Sequence, residues 1–282
     1  MSNLRIVWAI PSDKAALTAS PALVSTLPVT NLQDPTRARI ARTTSLAQQQ
    51  ILGNLTSLQI VNSLVLWRHN LSATATWRLE LFSGANQSGT SVYDSGTISA
   101  VSLKSLGDLE WGIDPIGATV FEAGAESWSL SYSVLWFTDA AALSFRLTLT
   151  DSANTNAYME ASRLMLGRYF SPAVNVDYGL GLSWVDESRQ IRTAGGTLRT
   201  DAGVIYRQIA FDLSALSESE RPKFIEIMRS SGKRKDLFVS IFPEAGGEKE
   251  RDYSMVAKIT NNHDNVTITH GIYQDTLTLQ ES

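Results

Sequence analysis

Between Ser127 and Thr150 apolar and polar residues alternate in two runs. These are Ser-Trp-Ser-Leu-Ser-Tyr-Ser-Val-Leu-Trp-Phe and Leu-Ser-Phe-Arg-Leu-Thr-Leu-Thr, separated by Thr138-Asp139-Ala140-Ala141-Ala142. Successive side chains of a strand point to opposite sides of the pleat, so a period of two marks strands with one buried and one solvated face. The same texture recurs in Ala75, Trp77, Leu79 and Leu81, which alternate with Thr76, Arg78, Glu80 and Phe82. Leu58 to Trp67 is apolar enough for a strand buried on both sides. Further strands are expected near Ser91–Tyr93, Tyr158–Leu166 and Leu180–Trp184, whereas residues 11–55, rich in Ser, Thr, Ala and Pro, read as irregular loops. Many strands joined by short turns, without helical periodicity, predict an all-β sandwich. Common phase places Trp77, Leu79, Leu130, Tyr132, Phe145 and Leu147 on its core face, with Trp128 and Trp136 also inward. Trp67, Trp111 and Trp184 are less constrained.

The texture changes after about residue 200. Leu216–Ser231 carries the one convincing helical pattern, with Phe224, Ile227 and Met228 on one face. Ser217 and Glu220 have capping-box spacing, and Ser219 competes as the cap because Pro222 must fall in the first turn. Gly232 is placed to end the helix with positive φ. Strands are expected at Val204–Leu213, Leu237–Phe242, Ser254–Thr260, Val266–His270 and Thr276–Leu279. The chain is thus expected to divide into a β-sandwich over 1–195 and a smaller α+β module over 196–282, joined across Thr193-Ala194-Gly195-Gly196-Thr197. Strands Leu237–Phe242 and Ser254–Thr260 are the expected edges for pairing between copies.

Of the 282 residues 43% are hydrophobic and 18% charged, which argues for a real core and against long disorder. Twenty-four basic against 28 acidic residues leave a net charge of -4, too mild to indicate nucleic acid or an anionic membrane surface as partner. The absence of cysteine excludes disulfide scaffolds, thiolate zinc sites and thiol nucleophiles. No run approaches the ~20 apolar residues that span a bilayer. Leu4–Ile10, stopped by Pro11, reads as a first strand rather than a signal peptide, so a soluble protein made in the cytosol is expected.

Chemistry-bearing patterns are sparse. His69, His263 and His270 have no metal-ligand spacing between them and read as satisfied loop or core residues. Asp151-Ser152-Ala153-Asn154-Thr155-Asn156 holds oxygen ligands of the kind calcium accepts, but a loop of small polar residues is a sufficient explanation. No nucleophile elbow, phosphate loop or dinucleotide fingerprint occurs, and Lys233-Arg234-Lys235 complements a helix C-terminus. No catalytic, cofactor-binding or metal-ligating residue, no cofactor and no enzymatic activity is therefore expected. Sugar stacking on exposed aromatics stays open, with no contacting residue singled out.

Several segments resemble a known family. They are Asn31-Leu32-Gln33-Asp34-Pro35, Arg42-Thr43-Thr44, Leu66-Trp67-Arg68-His69-Asn70-Leu71-Ser72, Ala75-Thr76-Trp77-Arg78, Leu166-Gly167-Arg168-Tyr169-Phe170-Ser171-Pro172 and Tyr178-Gly179. The helix ending at Gly232 and the later Phe242-Pro243 fit as well. Together they resemble the distal-tail and tail-tip, or baseplate, structural proteins of long flexible-tailed bacteriophages, which often carry a galactose-binding-like jelly roll. The resemblance implies a virion protein assembled in the host cytoplasm as a ring-shaped homo-oligomer, six copies favoured over three. Its partners would be the tail tube and other tail-tip proteins. Two rival expectations remain: a carbohydrate-binding module that attaches to host surface glycans, and, more weakly, a polysaccharide-degrading enzyme.

Overall fold

The computed structural model describes residues 2–101, 132–245 and 247–282. Trp111, Trp128 and Leu130 lie outside them. Contacts divide the chain into two compact units, one of Val7–Tyr169 with Glu244–Asp252, the other of Ile6 and the residues before it, Phe170–Pro243 and Tyr253–Ser282. Residues 170–195, read from sequence as part of the sandwich, fall in the second unit because their strand pairs there. Among the described residues no helix is long and apolar enough to cross a membrane.

The first unit contains, in chain order, the last residues of β1 (Arg5–Ala9), then β2 (Ala16–Ser20), β3 (Ala41–Arg42), β4 (Gln49–His69), β5 (Thr76–Phe82), β6 (Ser91–Asp94), β7 (Ile98–Ser99), β8 (Tyr132–Thr150) and β9 (Glu160–Phe170). β4 and β8 organise it. They pair antiparallel from Gln49↔Leu149 to Trp67↔Tyr132. β2 lies along the first part of β4, and β9 along its last part, from Ser63↔Gly167 to His69↔Ala161. β5 lies along the later half of β8, from Thr76↔Thr150 to Phe82↔Ser144, and is extended by β6 and β7.

The β4–β8 ladder slips twice, between Asn54 and Gln59 and between Val61 and Ser63. Each slip changes which residues face inward, as a bulge must when the side-chain period is two. On β8 the core residues run Leu135 and Phe137, then Ala140 and Ala142, then Phe145, Leu147 and Leu149. The two halves of the long strands thereby enclose one core, in which Ile51 and Leu55 meet Leu64, Leu66, Leu79, Leu81, Leu164 and Leu166.

Three expectations change accordingly. The alternating run is one strand through Thr138–Ala142, not two. Trp77, Leu79, Phe145 and Leu147 are core as expected, but in the first part of β8 Leu135 and Phe137 face that core, which puts Tyr132 and Trp136 on the opposite face. There Tyr132 packs on Trp67 (ring centroids 5.3 Å apart) and Trp136 on Tyr169 (5.2 Å). β2, β3 and the start of β4 lie within the stretch read as loops. Their order comes from ladders to strands distant in sequence (Ala16↔Asn54, Ala41↔Ala161), which local pattern does not carry.

In chain order after β9 come β10 (Gly181–Asp186), β11 (Arg189–Arg192), β12 (Leu198–Asp201), β13 (Ile205–Ser217), α1 (Arg221–Ser231), β14 (Leu237–Ser240), α2 (Gly247–Asp252), β15 (Ser254–Ile259), β16 (Val266–Thr269) and β17 (Ile272–Glu281). All but α2 belong to the second unit, whereas α2, absent from the sequence expectation, belongs to the first. The second unit's strands run β10-β13-β17-β15-β14, with β16 also on β17 and β11–β12 a separate hairpin.

Phe224 and Ile227 of α1 are fully buried. The Glu220 carboxylate accepts from the Ser217 N–H (2.9 Å) and hydroxyl (2.6 Å), but the helix starts only at Arg221. Pro222, in the first turn, explains the late start: its ring fits there and would disrupt a helix already under way. Gly232 ends the helix at φ 51°, donating to the Met228 carbonyl at 2.8 Å. The expected free edges are not free: β14 is buried along its length and β15 is flanked by β14 and β17. The exposed strands of this sheet are β10, with Trp184 45% exposed, and β16, exposed throughout. Most of the module is therefore an antiparallel sheet with one helix on it, as the sequence predicts.

Gly53 shows how tightly the first core is closed. A Cβ there would lie 2.2 Å from Cε1 of Phe145, its cross-strand partner. Gly53→Ala should cost about 1–3 kcal/mol in chemical denaturation. Combined with Phe145→Leu it should cost less than the sum of the two single changes, and strict additivity would show that the ring does not occupy that space.

Candidate functional site

Polar groups gather in three places that could hold chemistry. The first joins His69, Ser133 and Asp151, none more than 5% exposed. His69 Nε2 lies 2.7 Å from Ser133 Oγ, while the Leu71 N–H donates to His69 Nδ1 at 3.3 Å. With Nδ1 an acceptor, the imidazole proton sits on Nε2 and points at the serine oxygen, and the Ser133 hydroxyl donates to the Ala100 carbonyl. A serine nucleophile needs the reverse polarity, with a bare nitrogen ready to take the hydroxyl proton. This cluster ties the ends of β4 and β8 together and is not catalytic. Burial lowers the His69 imidazole to about 4, against the opposing pull of the Asp151 carboxylate.

The second is the Asp151–Asn156 loop. Asp151 accepts from the Ser72 N–H (2.8 Å), the Ser72 hydroxyl (2.5 Å) and the Asn154 amide (2.9 Å). Asn154 also donates to the Asn70 carbonyl at 2.8 Å. The Asp151 carboxylate and the Asn154 side-chain oxygen, two of the oxygens that made this loop a calcium candidate, are occupied by donors of the chain itself. The other two histidines lie apart from both clusters: His263 Nδ1 is 3.4 Å from Asp275, and His270 is exposed in the turn after β16, not in a strand.

The third lies on the solvated face of β4, β5 and β8. A cleft of about 370 Å³ is lined by Gln48, Gln50, Thr76, Arg78, Glu80, Thr97, Arg146, Thr148 and Thr150, with Trp77 at its floor. Register explains the gathering. Thr76 stands opposite Thr150, Arg78 opposite Thr148 and Glu80 opposite Arg146, while Gln50 flanks Thr148 from the other side. Arg78 grips Asp94 of β6 with two bonds (2.9 and 2.5 Å) and lies 3.5 Å from Glu80, which also accepts from Arg146 at 3.3 Å. The bond from Arg78 holds the Asp94 carboxyl below its ordinary range. Gln48 donates to Thr150 at 3.4 Å, whereas the hydroxyls of Thr76, Thr97 and Thr148 and the Gln50 amide have no protein partner among the described residues. Such a surface can hold a hydroxyl-rich ligand through neutral and charge-assisted hydrogen bonds. The Trp77 ring is 3% exposed and turned into the core, so none of the lining residues forms an aromatic platform.

Sequence reasoning named none of these as site residues, although the outward phase of Thr76, Arg78, Glu80, Arg146, Thr148 and Thr150 was visible. The signal it lacked was the order of strands, which sets Gln50, Thr148 and Arg78 in one row.

No family model and no curated protein sequence matches the chain. Solved structures similar to it include the family 32 carbohydrate-binding module of Clostridium perfringens NanJ in complex with galactose (13% identity, TM-score 0.38, 58% of this chain and 99% of that one). Another is chitosan-binding module 1 from a chitosanase/glucanase of Paenibacillus sp. IK-5 (14%, 0.37, 57% and 97%). A third is a module from a family 31 glycoside hydrolase of Clostridium perfringens (16%, 0.39, 57% and 95%). The likeness is one of β architecture, at identities and overlaps too low to speak for a shared ligand. No finding among these comparisons indicates a phage tail protein.

His69 gives a test of the first cluster. Unfolded, it takes up a proton near pH 6.5, while folded it stays neutral down to about 4. The unfolded state binds more protons in that window, so stability falls as pH drops from 6.5 to 4, by about 3 kcal/mol from this residue. Denaturation curves of His69→Gln should lack that part of the slope, and an unchanged slope would place the imidazole in contact with water.

Proposed function

We propose that the first unit is a carbohydrate-binding module and that the polar cleft on β4, β5 and β8 is its site. The observation that carries this reading is the alignment of threonine hydroxyls, glutamine amides and an arginine–carboxylate ladder across three adjacent strands, with several donors and acceptors left unpartnered. Sugar rings present vicinal hydroxyls that such groups accept and donate to in pairs. The role proposed is binding without catalysis, in attachment to a surface glycan. On an immobilised glycan array the full chain should retain at least one glycan, and Arg146→Met and Thr148→Val should each weaken that retention about tenfold or more with the fold intact by circular dichroism. Retention unaffected by both changes would move the site elsewhere.

A second reading is a structural role in a phage tail tip, as a homo-oligomeric ring, with six copies favoured, between the tail tube and the host-recognition apparatus of a virion assembled in the host cytoplasm. One observation favours it. All eight residues of the β11–β12 hairpin are exposed. Ile191 pairs with Arg199 and Leu198 with Arg192, so the two apolar side chains lie on opposite faces of the hairpin, 50% and 49% exposed. An isolated two-stranded hairpin is marginal in water, and a neighbouring copy would cover both faces. The contact surface would then be this hairpin rather than Leu237–Phe242 and Ser254–Thr260. Sedimentation should show the full chain as an oligomer and Ile191→Asp with Leu198→Asp as a monomer. A monomeric parent chain would contradict the ring.

A further inference from the structure

We infer that the glycan held by the cleft is uncharged, and that Glu80 and Asp94 set this preference by cancelling the two arginines. The inference rests on the sugar-binding reading and deepens it. The cleft and its rim carry two cations, Arg78 and Arg146, and two carboxylates, Glu80 and Asp94, and these close on one another. Arg78 is held by both oxygens of Asp94 and lies beside Glu80, and Arg146 donates Nη1 to Glu80. No positive charge is left over to seat a uronate, sialate or sulfate group. A carboxylate brought to Arg146 would also face Glu80, whose side chain is only 15% exposed and fixed between the two guanidiniums.

What remains for a ligand is neutral hydrogen-bonding capacity: Thr76, Thr97 and Thr148 hydroxyls, the Gln50 amide, and the outer guanidinium N–H groups of Arg146 not committed to Glu80, its Nε being buried. These match hydroxyls, which both donate and accept. Arg146 is also steadied by the Phe82 ring, 5.4 Å below its guanidinium, so its orientation does not depend on the ligand.

The test uses the full chain on an array holding neutral glycans alongside uronate-, sialate- and sulfate-bearing ones, read at 20 and 500 mM NaCl. The wild type should retain neutral members only, with little change between the two salt concentrations, because no net charge is being neutralised. Glu80→Gln and, separately, Asp94→Asn each leave one unbalanced arginine. Either should raise retention of acidic members about tenfold at low salt, and high salt should abolish the gain. Having both variants guards against one of them failing to fold, which a thermal melt reports. Retention of acidic members by the wild type, falling steeply with salt, would overturn the charge assignment while leaving the sugar-binding reading in place. Retention of no member would overturn that reading, and this inference with it.

Discussion

The antiparallel ladder between β4 and β8 is the constraint on which the first unit depends. Each strand is long enough to serve two sheet halves, and its two slips decide which residues face inward in each half. Without the slips a single phase would run from Tyr132 to Leu149. Leu135, Phe137, Phe145, Leu147 and Leu149 would still share a face, but Ala140 and Ala142 would turn away from the core they now line. The polar cleft is the reverse side of the same arrangement: where Phe145, Leu147 and Leu149 point in, Arg146, Thr148 and Thr150 must point out.

The segments that carry the resemblance to tail-tip proteins have clear structural work in this fold. Leu32 is buried, Gln33 donates to the carbonyls of Ser12 (2.6 Å) and Ala15 (2.8 Å), and its own carbonyl accepts from Arg163. Arg42 pairs with Glu160 at 2.7 Å and lies over the Tyr158 ring, 4.1 Å from its centre. Asn70 mimics a strand residue, donating to the Tyr158 carbonyl and accepting from the Glu160 N–H. These side chains pin loops onto β9 by satisfying buried backbone groups that would otherwise lose their hydrogen bonds on folding. The same requirements would arise in any sandwich with this order of strands, so the pattern speaks for architecture more than for a place in a virion.

Much of the fold was legible in the sequence because alternation is local. Trp77, Leu79, Phe145 and Leu147 announced their face, and Phe224 and Ile227 announced theirs. Trp136 and Tyr132 did not, because Val134-Leu135-Trp136-Phe137 is apolar at every position and leaves open which phase faces the core, and Thr138–Ala142 reads as a turn as readily as a slip. β2 was hidden because Ala-Leu-Thr-Ala-Ser has no strong preference of its own and is ordered by its partner on β4. The cleft was legible only in fragments. The polar faces of Thr76–Glu80 and Arg146–Thr150 could be seen, but Gln50 and Asp94 join them through pairings between strands far apart in the chain. His69 was identified correctly as a satisfied residue, although its burial and its bond to Ser133 depend on strand order as well.

The most direct test of the central claim is to locate the sugar on the protein. In a nitrogen-15 titration with a neutral oligosaccharide retained on the array, the amide signals of Thr76–Glu80, Arg146–Thr150 and Gln48–Gln50 should shift together and saturate at one ligand concentration. Shifts confined to the turns at 83–90 and 151–157, with those three strand segments unmoved, would contradict the claim that the sheet face is the binding site.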